Sequence, residues 1–217
     1  MIELKTIKRK YLQDVIDVMG TPDIKVITGV KRSGKSELLH MFIDYINEND
    51  TNSNIIYIDY NLDKFDELKQ YKELIKYVSE KYNQEKNNFI LIDEVQMCND
   101  FEKAINNFHA EKKYDIYITG SNAFLLSSDL ATLFTGRTYS IEVYPFSYQE
   151  FLEYHNLENN RESYDRYVLE GGFSGSYLYK GMDKKYNYIK DVYKTMIVRD
   201  IVERNKIQNI PLLDSIS

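Results

Sequence analysis

Eight consecutive residues, Gly29-Val30-Lys31-Arg32-Ser33-Gly34-Lys35-Ser36, satisfy the pattern G-x-x-x-x-G-K-[ST] at every required position. Glycines at both ends let the backbone wrap, so that successive N–H groups converge on phosphate oxygens. A helix that begins at once behind the loop adds its positive end to the same anion. In that chemistry Lys35 reaches the β- and γ-phosphates and the Ser36 hydroxyl ligates Mg²⁺. The whole run, with Glu37 behind it, is the candidate nucleotide-binding segment. The plainer alternative is a glycine turn between a strand and a helix, carrying a surface lysine. The apolar strand before the loop and the amphipathic helix after it favour phosphate binding.

A second group lies sixty residues on. In Phe89-Ile90-Leu91-Ile92-Asp93-Glu94-Val95-Gln96 an apolar run ends in two acids. Ligands of open α/β sheets collect at the carboxyl ends of the strands. Asp93 is therefore the candidate Mg²⁺ ligand, acting through water because Mg²⁺ keeps much of its hydration shell. Glu94 is the candidate for orienting or deprotonating an attacking water. Taken alone, such a pair is as readily two solvated loop acids. After the strand Asp115–Thr119, Ser121 and Asn122 could bridge a γ-phosphate and that water, with Asn122 preferred. Both types also serve as helix N-caps. ATP is favoured over GTP because no N/T-K-x-D guanine signature is present; Asn205-Lys206-Ile207-Gln208 starts like one and lacks the Asp.

The elements that must position these groups alternate. Apolar periodicity predicts a helix over 7–19, broken by Thr21-Pro22-Asp23, then a strand over 25–30 that runs into the loop. A helix over 34–47, a strand over 54–60 and a helical region over 65–83 follow. The 89–93 run reads as a strand buried on both faces. A helix over 100–113, a strand over 115–119, a helix over 122–134 and a strand over 138–143 complete the series. Regular alternation predicts a parallel sheet with helices on both faces. After Pro145 the pattern is all-helical, over 147–156, 162–170 and 184–205, with a further start near 211. The boundary falls there: a phosphate-loop core over 1–145 and a helical region over 146–217. The closing string IPLLDSIS opens an apolar pattern within which the chain ends, as expected of a fragment of a longer protein.

Composition narrows the setting. The formal net charge is −6 over 217 residues, which disfavours a surface given over to nucleic acid. Lys8, Arg9 and Lys10 could touch nucleic acid, but three residues make a weak cluster. Cys98 is the only cysteine, so no internal disulfide forms and a reducing, cytoplasmic setting is expected. It lacks any nucleophile context and reads as an inert thiol. No segment has the roughly 20 apolar residues a membrane span needs. His40, His109 and His155 lie apart, without metal-ligand spacing. The stripe Tyr71, Leu74, Ile75, Val78, Tyr82 has helical spacing and reads as core.

With GVKRSGKS, FILIDEVQ, ITGSNAFLLS, FTGRTYSIEVYPFSYQEF, EGGF and TMIVRDIVERNKI in this order, the chain resembles AAA+-related P-loop ATPases of bacteria and archaea. More narrowly, it is similar to the group whose ATPase domain precedes a C-terminal domain of unknown function. That resemblance implies a five-stranded parallel sheet of order 5-1-4-3-2, with a strand inserted between the loop strand and the Asp93 strand, and a C-terminal all-helical lid. It implies that Glu94 is the catalytic glutamate. It also implies that Arg137, in FTGRT, reaches a γ-phosphate, in its own site or a neighbouring subunit's; a structural ion pair is the alternative. Arg199 is expected to be structural. Ser174 stands after EGGF where members often have proline.

The leading expectation is thus an ATPase that uses ATP and Mg²⁺, with hydrolysis driving a conformational change. An ATP-gated signalling or scaffold module with little turnover is the alternative, and a nucleic-acid remodeller the third. The candidate partners are ATP, a second copy in a homo-oligomer and a protein of unassigned identity.

Overall fold

A computed structural model describes residues 6–120, 134 and 136–196. All of the expected helix over 122–134 except residue 134, the region beyond 196, Ser121, Asn122 and Arg199 lie outside the described residues. Those residues fall into two compact units. A sheet unit gathers 10–29 and 35–143; a helical unit gathers 6–9, 30–34 and 144–196.

The sheet unit has five parallel strands: β1 Ile24–Thr28, β2 Ser53–Asp59, β3 Asn87–Asp93, β4 Tyr114–Thr119 and β5 Thr138–Glu142, in the order β2-β3-β4-β1-β5. Read from the other edge, this is the order 5-1-4-3-2, and β4 is the strand inserted between β1 and β3. Among the described residues four α-helices belong to this unit: α1 Tyr11–Asp17, α2 Lys35–Asn49, α3 Tyr71–Lys81 and α4 Phe101–Glu111.

Successive strand residues point to opposite faces, and here both faces are dry. Ile24, Val26, Ile56, Ile58, Ile90, Ile92, Ile116 and Ile118 pack on one side, against Leu74 and Val78 of α3 and Ala104, Ile105 and Phe108 of α4. Ile27, Phe89, Leu91 and Tyr117 pack on the other, against Leu12 and Val15 of α1 and Leu38, Leu39, Phe42 and Ile46 of α2. This two-sided burial is why β3 reads as an unbroken apolar run rather than an alternating one. A core ring such as Phe42 is fully buried; removing one from a packed interior costs about 3–5 kcal/mol. The stripe at 71–82 is core as expected, with Tyr82 edge-on to Tyr114.

Two expected helices are corrected. The one drawn over 7–19 begins only at Tyr11. Upstream, Ile7 and Arg9 are buried while Thr6, Lys8 and Lys10 are exposed. That period of two belongs to extended chain, not a helix. The region 65–83 is split into a 3₁₀ segment, Asp63–Leu68, and α3. Between them the Lys69 carbonyl accepts from the Asn99 N–H at 2.8 Å, and Gln70 bridges Asn99. The Lys69 carbonyl, given to Asn99, does not take the Glu73 N–H that a continuous helix would need, so the turn breaks there.

The helical unit contains α5 Tyr148–His155, α6 Arg161–Glu170 and α7 Met182–Met196. Ser147 and Glu150 form a capping box that fixes the start of α5. The Gly171-Gly172 pair has a physical reason. Gly171 ends α6 at φ +69°, and a Cβ on Gly172 would come within 2.4 Å of the Phe146 carbonyl oxygen. The Gly172 carbonyl accepts the Phe146 N–H at 2.8 Å, so the two backbones need that close approach. Phe151, Tyr154, His155, Tyr167 and Tyr177 then pack ring against ring.

Candidate functional site

In the sheet unit the crossover after β1 runs toward β2 and the one after β4 runs toward β5, in opposite directions. The carboxyl ends of β1 and β4 therefore flank a topological switch point, where open α/β sheets take ligands. β1 delivers Gly29 there at φ +154°. α2 opens on Lys35, whose side chain is buried and whose Nζ donates to the Gly29 carbonyl at 3.0 Å.

Asp93 ends β3 and is fully buried. Its Oδ1 accepts from the Thr119 hydroxyl, while its Oδ2 has no hydrogen-bond partner. Burial raises the pKa of this carboxyl; the nearby Ser36 and Thr119 hydroxyls oppose that, and the negative charges of Glu94 and Asp59 add to it. A carboxylate held in a dry sheet edge with one bare oxygen and a hydroxyl from Ser36 beside it suits a hard divalent cation, which needs few protein ligands when it keeps water. Ser36 and Asp93 thus fit Mg²⁺. Among the described residues no cluster of three or more His, Cys, Asp or Glu offers a rival metal cage.

Glu94 follows in the left-handed region, φ 56° and ψ 50°. A non-glycine residue there is strained by about 1–3 kcal/mol, a cost that persists where the surroundings over-determine it. Here the Glu94 N–H donates to Thr119 Oγ1 at 3.1 Å, and Gln96 Nε2 donates to Glu94 Oε2 at 2.5 Å. Thr119 therefore ties both acids, and Gln96 restrains the one expected to handle water. Neither was singled out from the sequence. The signal for Thr119 was its place as the last residue of an apolar strand in a parallel sheet. Asp59, in register with Asp93 on β2, has the same signal.

The middle of the glycine loop belongs to the helical unit. The Ser33 N–H donates to the Val30 carbonyl at 3.1 Å, Arg32 takes φ +67° and Gly34 φ +99°. The Arg32 guanidinium lies 4.8 Å from the ring centroid of Tyr188 on α7. Lys31 is partly exposed, and Glu37, on the first turn of α2, is exposed.

Arg137 is exposed and immediately precedes β5, its carbonyl accepting from Ile24 N–H at 2.8 Å. That is the amino edge of the sheet. Gly29 lies five β1 residues further along, roughly 16 Å at about 3.3 Å per residue. Among the described residues Arg137 makes no ion pair. The Lys8–Lys10 cluster is corrected: Arg9 is buried and ion-paired to Glu150 at 2.7 Å, so only Lys8 and Lys10 face solvent. Cys98 is buried, and desolvation raises its thiol pKa. A cavity of about 670 Å³ opens at the amino edge of the sheet, bordered by Lys113 and Asp115. Two of its charged groups are taken: Asp115 by Lys25, Gly20 and Tyr117, and Lys113 by Glu111.

Among the described residues no helix is long and apolar enough to cross a membrane. In an alignment of 216 positions that covers 96% of this chain, the chain is 35% identical to an uncharacterized protein of Haemophilus influenzae. It spans about half the length of the curated relatives it matches, 54% of this one. In fold it is similar to domain III of the replication initiation protein DnaA from Thermotoga maritima, at a TM-score of 0.51 and 17% identity, covering 88% of this chain and 95% of that one. It is similar too to Hsp104 of S. cerevisiae in a complex with ADP, at a TM-score of 0.54 and 16% identity, covering 70% of this chain and 24% of that one. The AAA domain family matches residues 21–152. Because that match runs over more than half of the chain, the protein belongs to the AAA domain family.

Proposed function

We propose that the chain binds Mg·ATP at its glycine loop and hydrolyses it to ADP and phosphate. One observation carries the reading: Asp93, buried at the carboxyl end of β3, presents an unpartnered oxygen beside the Ser36 hydroxyl, with Glu94 next in the chain. Family membership and the ADP that the Hsp104 neighbour binds support a nucleotide as the ligand. In this reading residues 29–37 hold the phosphates, with Lys35 neutralising β- and γ-oxygens. Ser36 and Asp93 would hold Mg²⁺, which when bound would offset charge on the phosphates. Glu94 accepts a proton from water as that water attacks the γ-phosphorus, and Asn122 helps to orient it. Arg137, at the opposite sheet edge from Asp93, belongs to a neighbouring copy's site in a homo-oligomer. Hydrolysis within 1–145 drives a change of shape in 146–217, and a C-terminal domain follows, as the longer relatives allow.

A nucleotide-gated module with little turnover is the second reading, favoured by Gln96. A Glu94 oxygen engaged at 2.5 Å is less free to take a proton from water. Calorimetric titration of Mg·ATP into wild type and Lys35→Ala tests the common part of both readings. Wild type binds and Lys35→Ala loses most affinity; equal binding by the two would remove the loop from the account.

A further inference from the structure

Arg9 is a buried cation that the proposed chemistry does not use. Its three nitrogens are directed to three acceptors in the helical unit. Nε donates to Glu150 Oε1 at 2.7 Å, Nη1 to the Ser33 carbonyl at 2.9 Å and Nη2 to the Tyr144 carbonyl at 2.6 Å. The guanidinium carbon lies 4.8 Å from the centroid of the Phe146 ring. Glu150 is nearly as buried, and its other oxygen accepts from the Ser147 N–H at 2.8 Å within the capping box of α5. One planar group thus joins the glycine loop, the chain entering α5 and the first turn of that helix.

The bond to Ser33 bears on phosphate binding. In a trans peptide the C=O and the next N–H lie in one plane and point in opposite directions, and no described peptide is cis. Fixing the Ser33 carbonyl on Arg9 therefore fixes the Gly34 N–H in the opposite direction. Amides of such loops serve anions only when they are aimed together. Gly34 packs against the same group: a Cβ there would meet Arg9 Nη1 at 2.9 Å. A lysine could not do this work, since one ammonium cannot span three acceptors held by a rigid fork.

We infer that Arg9 is a positioning residue of the phosphate loop, aiming the Gly34 amide, and that Glu150 holds Arg9 to that task. The inference rests on the reading that this loop binds Mg·ATP. It adds that loop geometry is set from α5, so a displacement of Glu150 changes nucleotide affinity.

The test uses Arg9→Lys, Glu150→Gln and the double variant, each checked by far-UV circular dichroism below its melting temperature. Mg·ATP affinity falls by about tenfold or more in each single variant, the scale of one charge-assisted hydrogen bond. The double variant is no weaker than Arg9→Lys, because both changes remove one linkage. Amide hydrogen exchange at residues 30–36 of the nucleotide-free chain speeds up in both single variants. A merely structural role lowers the melting temperature and leaves affinity and loop exchange unchanged, which overturns the inference. Should Arg9→Lys not fold, Glu150→Gln decides alone. Should wild type bind no Mg·ATP, the nucleotide reading fails, and unchanged loop exchange would then defeat the positioning role separately.

Discussion

Thr119 gives its hydroxyl hydrogen to Asp93 and takes the Glu94 N–H at 3.1 Å, so one side chain on β4 holds both acids of β3 in place. Thr119→Val keeps the shape and removes both bonds, leaving a buried carboxylate oxygen and a backbone N–H without this partner. Such losses cost about 1–3 kcal/mol each. Urea unfolding should show a stability loss of that size, and Mg·ATP turnover should fall in parallel. Unchanged turnover in a destabilised variant would make Thr119 a folding residue only.

Asp93→Asn should separate stability from function. Burial raises the carboxyl pKa of Asp93, so the folded state disfavours its ionised form at neutral pH. The neutral amide removes that burden, and the chain without nucleotide should melt no lower than wild type. Mg²⁺-dependent ATP binding should nevertheless be lost. A large drop in melting temperature would show instead that the charge is structurally required.

Gln96→Ala releases Glu94 Oε2 from a bond of 2.5 Å. If Gln96 restrains a water-activating carboxylate, turnover rises by up to about tenfold, equivalent to about 1.4 kcal/mol in the barrier. Mg·ATP affinity should be nearly unchanged. A fall in steady-state turnover would mean that Gln96 aims Glu94 rather than restrains it.

Glu170 supplies a pH dependence. Burial acts to raise its carboxyl pKa, but Arg166 at 2.7 Å and Lys185 at 2.5 Å outweigh it, and the folded value lies below the ordinary 4.5. A depressed carboxyl contributes stability that is fully present above the unfolded pKa and is lost as pH falls through the folded one. Thermal melts followed by far-UV ellipticity should therefore show wild type above Glu170→Gln at pH 7, with the gap closing below about pH 4.5. A constant gap would show that the ion pairs are not its source.

The sheet and its phosphate loop were legible in the sequence because they follow short-range rules. A strand buried on both faces writes itself as FILID, and a loop that must wrap an anion writes its glycines at fixed spacing. The order of the strands was legible only through resemblance, since periodicity does not say which strand lies beside which. Arg9 was misread because its partner, Glu150, lies 141 residues away. Nothing local distinguishes it from Lys8 and Lys10 except the alternation of Ile7 and Arg9, which falls inside the segment whose apolar periodicity predicts a helix. Thr119 looked like an ordinary strand residue, since a threonine favours strands whether or not its hydroxyl is used. The capping box at Ser147 and Glu150 was readable as S-x-x-E, but not that Glu150 would also hold a distant arginine.

The central claim is tested most directly by measuring Mg·ATP binding and turnover together, for wild type and Glu94→Gln, over a range of protein concentrations. The account predicts that wild type binds and hydrolyses, that Glu94→Gln binds and does not hydrolyse, and that the specific rate rises with concentration because Arg137 acts on a neighbour. Equal turnover by Glu94→Gln, or no binding by wild type at saturating Mg·ATP, would contradict it.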